Sequence, residues 1–416
     1  MSIHKLDPHL KTQVSAAAEE GGVPVIVQHK GAFFFPQAVG ETQHFELINA
    51  TAMTVPPESL QTLAENDDVE YVWADLPVHT CLDVSVPRIA APAVWAEGFD
   101  GSGVKLAIVD TGIDPNHADF SGRIIARKKF IGSSEDDENG HGTHVAGIAA
   151  GTGAASNGKY RGAASGAQLY IAKVLDKNGG GSMSGVMAGI EWAVGQGAQV
   201  INLSLGGSGP CDGSDALSTM CDAAVTQAGV MLCVAAGNAG PGASTVGSPG
   251  CAKQVLTVGA SDDNDNITGF SSRGPTSDGR VKPNIVFPGY GIVAPQAAGT
   301  QLGQVIAPGY ISLNGTSMAT PHASGAACLL LQAKPDLTPT QIKSALRNTA
   351  VDLGQPANAQ GSGRSDVFAA YKIVTGETPS PDPTPPPDPT PSPTPPAPPG
   401  QNDGCLPSSL AKLFKK

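Results

Sequence analysis

Between about residues 84 and 375, short apolar runs alternate with Gly- and Ala-rich stretches of helical length, and this alternation restricts the fold more than any other feature of the chain. The runs include 104–109, 168–174, 200–205, 230–235 and 255–258. They are apolar without interruption, so both faces of each strand must be covered, which a parallel sheet flanked by helices achieves. With 52 glycines and only 5% aromatics, tight turns and close backbone approaches are favoured over a helical bundle. The expectation is an α/β unit with a mainly parallel sheet over residues 83–375.

The flanks have a different texture. Residues 23–28, 44–49 and 69–74 read as strands and 57–66 as a helix, a small α+β unit within residues 1–82. Residues 379–399 hold 13 prolines in 21 positions, a composition that cannot bury a core. Residues 376–400 are therefore expected to be a linker, extended over roughly 65 Å at about 3.1 Å per residue in its Pro-rich part. In the tail, 401–416, Leu410, Leu413 and Phe414 alternate with Lys412, Lys415 and Lys416. So few residues rarely hold a helix alone, and a frayed end is expected.

A net charge of −12 argues against nucleic acid as a partner, because phosphate binding needs concentrated Lys and Arg. The charge serves solubility, with some capacity to hold calcium. No apolar stretch approaches the roughly 18 residues of a transmembrane span, and the start Met1-Ser2-Ile3-His4-Lys5 lacks the apolar core of a signal peptide. Of seven cysteines, Cys211, Cys221, Cys233 and Cys251 fall within one 41-residue window, which points to an oxidising compartment and a secreted or extracellular protein. Three pairings of the four are open. No Cys-x-x-Cys spacing supports zinc.

Three segments carry the chemistry. Asp110 follows the apolar run Leu106-Ala107-Ile108-Val109, so its carboxylate should emerge at the carboxyl end of a parallel strand, where open α/β sheets place their sites. His141 stands in Asn139-Gly140-His141-Gly142-Thr143-His144, where loop glycines give way to a small-residue helix. His144, three residues on, raises the possibility of a metal pair, but no third ligand is spaced to match. Ser317 precedes an Ala-rich helical stretch, 318–331, whose positive end favours developing negative charge. Taken alone, a serine in that place is an N-cap. A base, an orienting carboxylate and a serine together are what amide hydrolysis through a nucleophilic serine requires.

The spacings, 31 residues from Asp110 to His141 and 176 from His141 to Ser317, give the chain order Asp, His, Ser. Asp110-Thr111-Gly112-Ile113-Asp114, His141-Gly142-Thr143-His144-Val145-Ala146-Gly147 and Gly315-Thr316-Ser317-Met318-Ala319 closely resemble the three signatures of the subtilase family, with similarity from about residue 86 to 367. The resemblance implies a three-layer subtilisin-like fold and a serine endopeptidase of broad specificity that needs no cofactor for its chemistry, acts on protein or peptide substrates and is monomeric. It also implies that Asn238, in Ala235-Ala236-Gly237-Asn238, donates to the oxyanion. Ser204-Leu205-Gly206 and Gly179-Gly180-Gly181 resemble the edges that pair with substrate backbone, a sequence-tolerant mode of binding. Gly247 resembles the base of the pocket for the residue before the scissile bond. No charged residue appears there, so an apolar or aromatic side chain is expected, with Met183 and Val186 lining neighbouring subsites.

By the same resemblance, residues 1–82 are an inhibitor-like propeptide that assists folding and is cut off by the enzyme itself between about residues 75 and 83. Asp119 aligns with a family calcium ligand, but the Asn-rich insertion that completes that site is replaced here by Gly151-Thr152-Gly153-Ala154-Ala155-Ser156-Asn157-Gly158. Structural calcium is expected only as a possibility, and the acidic runs at 135–138 and 262–265 read equally as solvated loops. Two other readings compete: an inactive family member acting as a binding scaffold, which the intact catalytic positions disfavour, and a Pro-rich ligand for aromatic-lined modules, which the lack of nearby Arg or Lys disfavours.

Overall fold

Alternation of buried and outward residues along Val23–His29 (β1) puts Val23, Val25 and Val27 on one face, where they meet Leu60, Leu63, Val69 and Val72. β1 is joined by Val39–Phe45 (β2), Ala50–Val55 (β3) and Val69–Ala74 (β4) in an antiparallel sheet of order β2-β3-β1-β4, with Ser59–Glu65 (α1) adding Leu60 and Leu63 to its core. Of the single strand expected over 44–49, residues 44–45 are the end of β2, residues 46–47 lie outside the described residues, and Asn49 is held at φ 46° just before Ala50 opens β3. The computed structural model describes residues 5–6, 10, 22–31, 33–45, 48–74, 82–207 and 209–376. The expected linker beyond Gly376, the tail and nearly all of the expected cleavage region lie outside the described residues.

From residue 82 the chain forms α2 (Leu82–Arg88), α3 (Ala91–Ala96), β5 (Lys105–Asp110), β6 (Ile124–Lys129), α4 (His141–Ala150), β7 (Gln168–Lys173), α5 (Met183–Gly195) and β8 (Val200–Leu203). It continues through α6 (Ala216–Thr226), β9 (Met231–Ala235), β10 (Leu256–Ser261), β11 (Ile285–Pro288), β12 (Ile292–Pro295), β13 (Gln304–Ala307) and β14 (Tyr310–Leu313). It closes with α7 (Thr316–Ala333), α8 (Pro339–Asn348), α9 (Ala357–Gln360) and α10 (Val367–Thr375). Strands β5 to β11 make one sheet of order β11-β10-β9-β8-β5-β7-β6, every pairing parallel, and β12-β14-β13 make a small antiparallel sheet. The expected α/β architecture is therefore present. The uninterrupted apolar runs are buried through their length, as in β8, β9 and β10.

Strand order reverses at β5, with β6 and β7 to one side and β8 to β11 to the other. Its carboxyl end is the crevice that such a reversal opens. Two helices made of small residues reach this edge. Nearly every residue of α4 and of α7 is buried, so neither needs an apolar stripe, and small side chains let the backbones approach. A Cβ on Gly325 of α7 would stand 2.6 Å from the Ala163 Cβ. One on Gly147 of α4 would stand 2.2 Å from Pro295 Cδ, at the end of β12.

Gly147→Ala should therefore push α4 off β12 and lower the melting temperature by about 5 °C, the scale of a 1–3 kcal/mol overpacking. Thermal unfolding followed by circular dichroism checks this, and an unchanged midpoint would contradict the close approach.

Candidate active site

β5 delivers Asp110 fully buried at its last residue, and the next amide, Thr111 N–H, donates to Asp110 Oδ1 at 2.7 Å. His141 opens α4 after Gly140, whose φ of 104° is glycine's region. From there its Nδ1 reaches the same Asp110 Oδ1 at 2.7 Å, while 21% of the side chain stays exposed. Burial works against a charged imidazole here, but the Asp110 charge and hydrogen bond, with Asp137 behind them, outweigh it and raise the His141 pKa above its ordinary value.

Ser317 sits in the first turn of α7 behind Gly315, whose φ is 153°. Its Oγ donates to the Ser204 carbonyl at 3.1 Å and is not hydrogen-bonded to His141. Rotation about χ1 is what would turn it toward the ring, and such bonds are commonly formed only with substrate bound. Ser204 Oγ in turn donates to the Ser317 carbonyl at 2.8 Å, tying the end of β8 to the start of α7. Asn238 Oδ1 accepts from Thr316 N–H at 2.9 Å and from Thr316 Oγ1 at 3.0 Å. That fixes the amide so that its Nδ2 remains as donor, close to where a Cβ on Gly315 would stand, at 3.4 Å. The Ser317 N–H, in the first turn of a helix, has no intrahelical carbonyl to bond.

Gly179, Gly180, Gly181, Met183, Val186, Ser204, Leu205 and Gly206 all line one cleft of about 630 Å³ together with His141. Gly247 does not line it; its neighbour Ser248 does, held by a 2.7 Å bond from its Oγ to Asp215. Leu175 and Leu217 add apolar wall that sequence reading missed, although Leu175 directly follows the predicted run 168–174. Among the described residues of the lining, His141 is the only titratable side chain.

The acidic run at 135–138 contains the other missed residue. Asp137 is buried at 6% exposure and accepts five hydrogen bonds. Oδ1 receives Thr111 Oγ1 at 2.8 Å, Asn139 N–H at 3.1 Å and Gly140 N–H at 2.8 Å, and Oδ2 receives Thr143 N–H at 2.9 Å and Thr143 Oγ1 at 2.6 Å. It therefore joins the residue after Asp110 to the turn that carries His141. Lys173 Nζ, also buried, donates to the Thr111 carbonyl at 2.7 Å from the end of β7. His144 Nε2 lies 3.1 Å from the carbonyls of both Ile292 and Ile311, and burial with neighbouring His141 pushes its pKa down to about 3, so it serves as a neutral pin between α4 and the small sheet.

Among the described residues no group of three or more His, Cys, Asp or Glu could hold a metal, and no helix is long and apolar enough to cross a membrane. Asp262 of the second acidic run accepts from Asn264 and Asn266, and Asp265 pairs with Arg88 and Arg364. Among the described residues one disulfide joins Cys211 to Cys251, and Cys221 and Cys233 are buried thiols.

Comparison with known proteins gives the same direction. Residues 101–363 match the model of the subtilase family. The serine protease AprX of Bacillus subtilis (strain 168) is 38% identical over 331 residues, 73% of this chain and 74% of its own length. Subtilisin E of the same strain is 38% identical over 338 residues, 79% and 82% of the two chains, and an alkaline protease of Shouchella clausii 39% over 336, 79% and 80%. A solved structure, a cold adapted subtilisin-like serine proteinase, superposes with a TM-score of 0.51 at 33% identity, covering 64% of this chain and 88% of its own.

Asp137→Asn keeps one acceptor oxygen but turns an NH₂ on Thr143 and removes a negative charge that favours the His141 imidazolium. The His141 ring should then lose its proton at lower pH than in the unsubstituted protein, readable by NMR titration of the ring; a midpoint that stays or rises contradicts the arrangement.

Proposed function

The chain belongs to the subtilase family, and from the serine endopeptidase activity that this membership establishes we propose that Asp110, His141 and Ser317 are its triad, with Asn238 the oxyanion donor. The observation that carries the reading is the 2.7 Å bond from His141 Nδ1 to buried Asp110, made on the rim of a cleft whose Ser204 holds the Ser317 hydroxyl. With Nδ1 committed to Asp110, the other ring nitrogen is the base. It takes the Ser317 proton as Oγ attacks the substrate carbonyl and returns it to the leaving amine, and water then hydrolyses the acyl-enzyme by the same route. The negative oxygen of the tetrahedral intermediate accepts from Ser317 N–H and Asn238 Nδ2. Loss of the equivalent donor in subtilisin costs about 10²–10³ in rate, which sets the scale for Asn238.

Leu175, Met183, Val186, Leu205 and Leu217 make the cleft walls apolar, with no carboxylate to receive a basic side chain. The proposed specificity is broad with apolar or aromatic preference, and main-chain pairing along 179–181 and 204–206 supplies the sequence tolerance. In a panel of peptides varied at the residue before the scissile bond, Leu and Phe should be cut with higher kcat/KM than Lys and Arg; the reverse order would overturn the assignment.

Residues 1–82 are proposed as the propeptide of a self-processing, secreted zymogen, with 83–375 the mature catalytic domain. A folding template has physical sense for a seven-stranded sheet paired entirely in parallel, because such pairings are non-local and slow to form. Ser317→Ala should abolish labelling by a fluorophosphonate probe and leave the full-length chain uncut. Labelling at another residue would remove Ser317 from its role, and normal processing of the variant would remove the self-cleavage.

A further inference from the structure

In the family, the position of Asp119 belongs to a calcium site; in this chain its surroundings do not fit the ion. Asp119 is fully buried in the 3-10 turn Ala118–Phe120. Tyr310 Oη, from the first residue of β14 and 191 positions away, donates to both carboxylate oxygens at 2.9 Å. A calcium ion bound by both oxygens would lie equidistant from them at about 2.3–2.6 Å and would overlap that hydroxyl. The loop that should offer oxygens offers a donor instead, Ala155 N–H to Oδ1 at 3.0 Å. A cation is repelled by an N–H dipole pointed at it.

We infer that the Tyr310 hydroxyl stands in for calcium at Asp119, closing the site to the ion and taking over its structural task. Burial, and then the carboxylate beside it, raise the Tyr310 pKa, so the phenol keeps its proton and remains a donor. Positive charge comes from Arg123, whose guanidinium donates to the Ala150 and Asp119 carbonyls and so sits between the carboxylate's own turn and the last residue of α4. His117 adds no donor to the carboxylate beyond Tyr310 Oη and Ala155 N–H. Its Nε2 bonds the Gly309 carbonyl at 3.0 Å, and its Nδ1 accepts the Asp119 N–H at 3.3 Å.

The stand-in also does something an ion bound in the loop would not. Tyr310 pairs with Pro295 across the small sheet and packs against the Tyr160 ring, tilted by 49° with centroids 4.7 Å apart, so the bond to Asp119 fastens that sheet to the turn packed against the end of α4. Thr152 N–H, just past α4, donates to the Asp119 carbonyl at 3.2 Å and completes the joint.

The test is thermal unfolding of the full chain, blocked with a fluorophosphonate to prevent self-digestion, in EGTA and in millimolar calcium chloride. Whatever increment calcium gives the unsubstituted protein should be the same in Asp119→Asn, since Asp119 binds none; an increment that disappears in Asp119→Asn overturns the inference. Should that variant not fold, Tyr310→Phe decides the matter alone. Removing only the hydroxyl should lower the midpoint in EGTA by about 3 °C, the effect of leaving one buried carboxylate oxygen, Oδ2, without its hydrogen bond while Oδ1 keeps Ala155 N–H. An unchanged midpoint in EGTA overturns the stand-in role.

Discussion

Burying Asp110 at the end of β5 is the condition on which the rest of the site depends. A carboxylate removed from water is tolerated only where hydrogen bonds and opposite charge replace the solvent. Thr111 N–H and His141 Nδ1, each at 2.7 Å, supply that replacement on Oδ1, while buried Oδ2 has no partner among the described residues, and in doing so they fix where His141 must stand. The start of α4 is then determined, and Asp137 holds it there through donors drawn from Thr111, Asn139, Gly140 and Thr143. Two buried carboxylates thus share one turn: the first orients the imidazole, and the second orients the backbone that presents it.

The other end of α4 poses the opposite problem. A helix terminates in partial negative charge, so a buried Asp119 near Gly151 is placed where its own charge is least welcome. Arg123 and the Tyr310 hydroxyl answer this, the guanidinium bonding Ala150 at the helix end and the phenol bonding the carboxylate. A ten-residue helix is therefore pinned at both ends by buried polar groups and along its middle by His144. Glycines at 142 and 147 let neighbouring segments close on the helix, since a Cβ there would stand 2.3 Å from the Gly112 carbonyl oxygen and 2.2 Å from Pro295 Cδ, and one on Gly151 would stand 3.3 Å from Asp119 Oδ2.

What could be read from the sequence follows from this layout. The sheet was legible because apolar runs buried on both faces have a pattern of their own, and Asp110, His141 and Ser317 were legible because each sits where such a run or helix begins or ends. The roles of Asp137 and Asp119 were not, because they are set by partners that no local pattern reveals. In Glu135-Asp136-Asp137-Glu138, four residues look alike, yet Asp136 pairs with Arg127 at the surface, Glu138 lies near Lys173, and only Asp137 turns inward to backbone amides. Asp119 reads as a calcium ligand until Tyr310 arrives from 191 residues away. The strand expected over 44–49 fails at its end for a local reason: Asn49 adopts positive φ, which an extended strand does not accommodate, and β3 starts only after it.

The cysteines show the same limit in its sharpest form. Four in one window allow three pairings, and sequential pairing would have closed two short loops; the bond formed is between the outermost two, 40 residues apart. Proximity and not burial separates them, since Cys251 is as buried as the two free thiols, and its Cα stands 6.0 Å from that of Cys211. Cys221 lies on the inner face of α6 and Cys233 within β9, and burial raises both thiol pKa values, the latter to about 12. The Cys211–Cys251 bond removes about 4 kcal/mol of chain entropy from the unfolded state by the loop-closure relation. Its position matters as much as its magnitude. The loop it closes contains Leu217, Asn238 and Ser248, and Gly207 just outside it donates to the Ser248 carbonyl at 2.8 Å. The crosslink therefore restrains the segment that carries Leu217 and Ser248 of the cleft wall together with Asn238, while the sheet and α4 restrain the rest.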